Sequence, residues 1–107
     1  MATSEQMYDE ADKLKDAGKS EEAVAKLNEL LAQDPAYALA HSALAVIYTR
    51  LRRHEDAIKH AVRTCELEPN DAFSFTALSV TYQRAGKIPE AEDAMARARM
   101  MQGDHHH

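Results

Sequence analysis

The chain has a single cysteine, three glycines, three prolines and no tryptophan in 107 residues. One thiol, Cys65, cannot form an intrachain disulfide, so a reducing, cytoplasmic setting is expected. Few glycines and prolines argue against long loops and favour helices. No apolar run approaches the ~20 residues that span a bilayer. The acidic start, MATSEQMYDEADKLKDAG, lacks the apolar stretch of a leader peptide. A concentrated basic surface is also missing: Lys and Arg number 13 against 18 Asp and Glu, a formal charge of −5. Nine acids and four lysines in residues 1–35 give that segment −5, and the rest is close to neutral. Counterion release needs many clustered cations, so nucleic acid and anionic membranes are not expected partners.

Residues that could carry chemistry are scattered. His54 and His60 do not have the i, i+4 spacing that puts two metal ligands on one helix face. His41 reads as a half-buried packing histidine, and Cys65 as a small buried hydrophobe without a base beside it. Acid pairs such as Asp9/Asp12 and Glu21/Glu22 suit exposed helix faces rather than a protected acid–base pocket. Arg50, Arg52 and Arg53, in TRLRRH, form the one basic cluster, read as a solvated turn. His105–His107 follow Gly103-Asp104 and read as an expression tag on a disordered tail, 102–107. No catalytic residue, metal site or cofactor is expected.

What the chain does have is a period. A shift of 34 residues aligns Ala23 with Ala57 and Ala91, and each is preceded by an acid, Glu22, Asp56 or Glu90. The same shift aligns the turn column Gly18, Arg52 and Gly86, the bases Lys19, Arg53 and Lys87, and the bulky column Leu14, Tyr48 and Tyr82. Leu44 matches Leu78, and Pro35 matches Pro69. Between these punctuators apolar residues recur at three- and four-residue steps, as in Leu27, Leu30 and Leu31. The pattern predicts six helices, at about 3–17, 20–33, 37–51, 54–67, 71–85 and 88–101, and no strands. Ser20 and Asn70 or Asp71 are expected caps, and Pro89 suits a first helical turn. Small alanines in one column let the helices of a hairpin approach closely, with the Tyr or Leu column filling the space beside them.

These columns resemble the tetratricopeptide repeat family, most clearly in L-A-V-I-Y at 44–48 with Ala57 and Pro69, and in L-S-V-T-Y at 78–82 with Gly86 and Ala91. His41 and Phe75 stand in the family's Trp slot, Glu10 replaces a Leu, and Thr64 replaces a small residue. The resemblance implies one all-α domain over residues 1–101, a right-handed superhelix of three antiparallel hairpins (repeats about 4–37, 38–71 and 72–101). It also implies a non-catalytic protein-interaction module that takes a peptide or helix of a partner protein on its concave wall. The inward positions are then Tyr8, Asp12, Leu39, Ser42, Val46, Thr49, Phe73, Thr76, Val80 and Gln83, with Arg50 at the border. One branch of the family grips a carboxylate tail with Lys, Asn and Arg. The corresponding positions here hold Tyr8, Asp12, Ala43, Phe73 and Ala77, so that clamp is not expected.

A second role, weak homo-oligomerisation, is suggested by the last helix. There Met95, Ala98 and Met101 form a mild apolar stripe with no seventh helix to cover it.

Overall fold

The computed structural model describes residues 2–103. Six helices follow one another: α1 (Ser4–Asp16), α2 (Ser20–Gln33), α3 (Ala38–Arg50), α4 (His54–Leu67), α5 (Ala72–Arg84) and α6 (Ile88–Gly103). The described residues contain no strand. The helix α6 runs through Gln102 and Gly103, which the sequence had placed in the tail, while His105–His107 lie outside the described residues.

The period has a structural cause at the turn inside each hairpin. Gly18 N–H donates to Lys15 O at 3.0 Å, and Lys19 N–H reaches back to Leu14 O at 2.9 Å. Arg52 to Thr49 with Arg53 to Tyr48, and Gly86 to Gln83 with Lys87 to Tyr82, repeat the same pair of bonds. This is a Schellman closure, which requires a residue with positive φ just past the helix end. Gly18 (φ 78°) and Gly86 (φ 79°) meet that need at little cost, whereas Arg52 (φ 61°) meets it as an L side chain.

The closure also corrects one cap. Lys19, the last residue of the turn, is itself the residue before α2, so Ser20 is already helical and caps nothing. Capping by side chains occurs elsewhere. Thr3 and Gln6 form a reciprocal capping box on α1, and Asp71 accepts from Phe73 N–H at 3.1 Å on α5.

Helices of one hairpin pack most extensively on each other, and α4 against α5 and α2 against α3 join the hairpins. Ala23, Ala57 and Ala91 are at most 1% exposed, which fits their role as close-approach points. One apolar cluster joins Met7, Leu27, Leu30, Leu44 and Ile47; a second joins Cys65, Phe75, Leu78, Ala94 and Ala98. The molecule measures 47 × 29 × 21 Å with a radius of gyration of 14.4 Å. A compact globule of this length has about 13 Å, so the array is drawn out along its axis.

His41 is buried more deeply than the half-buried packing position expected, and its surroundings favour one tautomer. Its Nε2 lies 2.9 Å from Pro35 O, a carbonyl that can only accept, so Nε2 carries the proton. With that tautomer of the neutral ring, Nδ1 accepts from Nδ1–H of His60, 2.9 Å away. The pair ties the linker at Pro35 to α3 and α4. Tyr48 stacks on His60 with ring centroids 5.8 Å apart.

Candidate groove between the second and third hairpins

Helices α3 and α5 stand side by side along one wall, and both leave large apolar side chains uncovered on it. Phe73 is 75% exposed, Leu39 56%, Val46 45% and Val80 42%. Packing between repeats therefore does not account for these side chains. Alternate turns of each helix bury Leu44 and Ile47, or Phe75 and Leu78, on the opposite side. The exposed residues are thus the second apolar face of helices that are apolar nearly all round. An uncovered apolar face of this kind marks an interaction surface more often than a scattered surface Leu does.

Val46, Phe73 and Val80 line a cavity of about 790 Å³ together with Ser42, Thr49, Thr76 and Ala77. Its floor is closed by Ala61 and Thr64 of α4. Seven of the expected groove residues meet here: Ser42, Val46, Thr49, Arg50, Phe73, Thr76 and Val80. Four do not line it. Tyr8 is half-buried and packs toward Tyr37 with ring centroids 6.0 Å apart. Asp12 pairs with Lys15 at 3.0 Å on the first hairpin. Leu39 and Gln83 are exposed without lining the cavity.

The structure adds residues that sequence reading left out of the site. Arg52, His54 and Arg84 line the cavity beside Arg50. Arg84 had a signal: it stands one period after Arg50, at the last residue of the equivalent helix. Among the described residues, no acidic side chain lines the cavity. Among the described residues, Arg50, Arg52 and Arg84 pair with no carboxylate, whereas Arg53 bonds Glu21 at 2.9 Å and Arg63 bonds Glu66 at 3.3 Å. His54 Nδ1 is buried and has no hydrogen-bond partner.

The arrangement offers shape, apolar area and positive charge, but no nucleophile paired with a base. Cys65 is buried, its Sγ donates weakly to Ser74 O at 3.4 Å, and burial pushes its thiol up to about 11. A thiol so held is a poor nucleophile at neutral pH. No group of three or more metal-ligating side chains comes together among the described residues.

The stripe on α6 is placed differently from its sequence reading. Ala98 is 1% exposed and lies inside the second cluster, and Met101 packs against the same cluster. Met95 is half-buried. The physical reason is that small side chains permit α6 to close directly on α5, so this face is the packing face of the last hairpin. The methionine left outside is Met100, 71% exposed, in a shallow depression with Phe75, Tyr82 and Ala94 at the open end of the array.

A family model described as tetratricopeptide repeat matches residues 8–72. No curated protein matches the chain in sequence. Solved structures of the same fold are numerous. MamA superposes with a TM-score of 0.87 at 20% identity, over 95% of this chain and 60% of that one. The second repeat domain of Spaghetti (RPAP3), bound to an HSP90 peptide, gives 0.82 at 21% identity, over 92% of this chain and 91% of that one. YrrB, described as having an unusual peptide-binding site, gives 0.84 at 18% identity, over 98% and 54%. The chain thus spans roughly three fifths or less of MamA and YrrB.

Proposed function

Because the chain belongs to the tetratricopeptide repeat family, we propose that it is a non-catalytic adaptor holding a peptide or helix of a partner protein in the groove between α3 and α5. The observation that carries this reading is the exposure of Phe73, Val46 and Val80 around one cavity, on helices whose other faces are already buried. Covering a side chain the size of Phe73 contributes up to about 1.5–3 kcal/mol, and a few such buried anchors dominate the energy of an interface. The HSP90 peptide bound by the Spaghetti domain and the peptide-binding site of YrrB support the same use of the fold. No helix among the described residues is long and apolar enough to cross a membrane.

The test is substitution of the two central anchors. Val46→Glu and Phe73→Glu should each abolish capture of a bound peptide while far-ultraviolet circular dichroism stays unchanged. Affinity that survives both changes would move the site off this wall.

A second reading, self-association, is favoured by the open end around Tyr82 and Met100. It predicts a concentration-dependent mass in light scattering that Met100→Lys removes. A constant monomer mass at high concentration ends it.

A further inference from the structure

The cavity is not merely apolar. Its rim at the C-terminal ends of α3 and α5 is formed by Arg50, Arg52 and Arg84, and among the described residues none that lines it is acidic. That is the reverse of the whole chain, which carries −5. A local positive rim on a negative protein selects among ligands by charge, because it attracts anionic segments while the rest of the surface repels them.

Two of these arginines have an ordinary explanation. Arg50 and Arg84 are the last residues of their helices, where a cation offsets the negative end of the helix dipole. Arg52 has none. It lies beyond the helix end, at the position that the first and third hairpins fill with Gly18 and Gly86, and it holds φ 61° there. A Cβ added at either glycine meets nothing within 4 Å, so the backbone conformation alone sets the preference for glycine in this column. At the one turn that borders the cavity, the fold keeps an arginine where glycine is easier. Strain kept beside a cavity, with the strained residue's side chain lining it, points to use of that side chain.

Resting on the groove reading above, we infer that the occupant is an acidic–apolar peptide segment. Its apolar side chains sit among Val46, Phe73 and Val80, and its carboxylates lie along Arg50, Arg52 and Arg84. Guanidinium groups accept carboxylates in a two-pronged geometry that fixes direction as well as charge. The bound segment therefore runs with its acidic part toward the α3–α4 turn. This recognition is not the tail clamp, because the clamp positions hold Tyr8, Asp12, Ala43, Phe73 and Ala77 and supply no cation; Phe73 serves here as an apolar anchor.

The experiment uses three fluorescein-labelled peptides that alternate Leu with Glu, with Gln or with Lys, titrated against the full chain and read by anisotropy. The Glu peptide should bind at least tenfold tighter than the Gln peptide and lose that advantage at high salt; the Lys peptide should not bind. Arg52→Gly should raise the melting temperature yet weaken the Glu peptide several-fold. Arg50→Gln with Arg84→Gln should weaken it about tenfold, with circular dichroism unchanged. If the Glu and Gln peptides bind equally, and Phe73→Glu abolishes both, the groove stands and the acidic preference is overturned. If none of the peptides binds, both readings fall. If light scattering shows a dimer that Arg52→Gly dissolves, the occupant is a second copy and the peptide assignment is overturned.

Discussion

The wall formed by α3 and α5 and the helix α6 both present apolar side chains without a further helix over them in sequence order, yet they end in opposite states. On the wall, Val46, Phe73 and Val80 stay in solvent because those helices have already buried another face. On α6, Ala91, Ala94 and Ala98 are buried because α5 packs on that face, while Ile88 and Met100 of the same helix stay exposed. Serine 79 shows how close the two helices come: Ser79 Oγ–H donates to Ala91 O at 2.7 Å across the hairpin. The lesson is that an apolar residue is free for a partner only where it lies off the face that its own hairpin buries. Size matters as well. Alanine stripes mark helix contact, whereas exposed Phe and Val mark unfinished surface.

The sharpest way to break this contrast is to place the same charge on both stripes. Ala98→Glu buries a carboxylate without a partner and should cost about 2–4 kcal/mol, read by urea denaturation. Phe73→Glu should change stability by no more than about 0.5 kcal/mol, since its side chain is already in water. Equal effects at the two positions would show that α6 is not packed as described.

Steric change probes the same packing more gently. Ala57→Leu, at a site with 0% exposure, should overpack the second hairpin and cost about 1–3 kcal/mol. Val46→Leu on the wall should be neutral. A neutral result at position 57 would remove the close-approach role assigned to the alanine column.

Much of this was legible beforehand because turns and short-range spacing carry it. The Gly18, Arg52 and Gly86 column is where the Schellman bonds close, and the Leu14, Tyr48 and Tyr82 column accepts them. Six helices and their order follow from those columns. What could not be read was rotation and distance. The α6 stripe looked uncovered because alanine serves a contact face and a solvent face equally well, and Met100 and Met101 are neighbours pointing to different surroundings. Leu39 and Gln83 share the inward register yet do not line the cavity, and Tyr8 is drawn to Tyr37 instead. Arg84 announces itself only through its period with Arg50. The His41–His60 contact joins two helices, and no local spacing announces it.

That histidine pair distinguishes the second hairpin from the third, which has Phe75 in the place of His41. Burial, and then the proximity of His41 and Lys59, lower His60 from 6.5 to about 4, while Asp56 opposes the shift weakly. The unfolded chain therefore takes up a proton at higher pH than the folded one. Stability from this group is complete above about pH 6.5 and is lost progressively as pH falls toward 4. Because His60 is partly exposed, solvent screening leaves about 1–2 kcal/mol. Comparing His60→Gln with the parent between those pH values should show a flatter curve for the variant. Parallel curves would mean that His60 titrates normally.

The smallest effect sharpens the comparison at the turns themselves. Arg52 borders the wall and Gly86 precedes α6, in the same closure and at nearly the same φ, 61° and 79°. Nothing but backbone preference separates the two positions, since a Cβ at Gly86 meets open space. Arg52→Gly should then stabilise the chain by about 0.5–1 kcal/mol, and Gly86→Arg should destabilise it by a similar amount. The gain at position 52 is limited by the greater freedom that glycine gives the unfolded chain, which works against the relief of strain. Thermal denaturation of both variants and of the double exchange measures this directly. If the turns are energetically equivalent, the double exchange returns to the parent's melting temperature, because the sites lie in different hairpins and share no partner. A loss at Arg52→Gly would instead mean that the Arg52 side chain stabilises the fold by contacts of its own. The strained backbone would then serve stability, and the case for its use in recognition would fail.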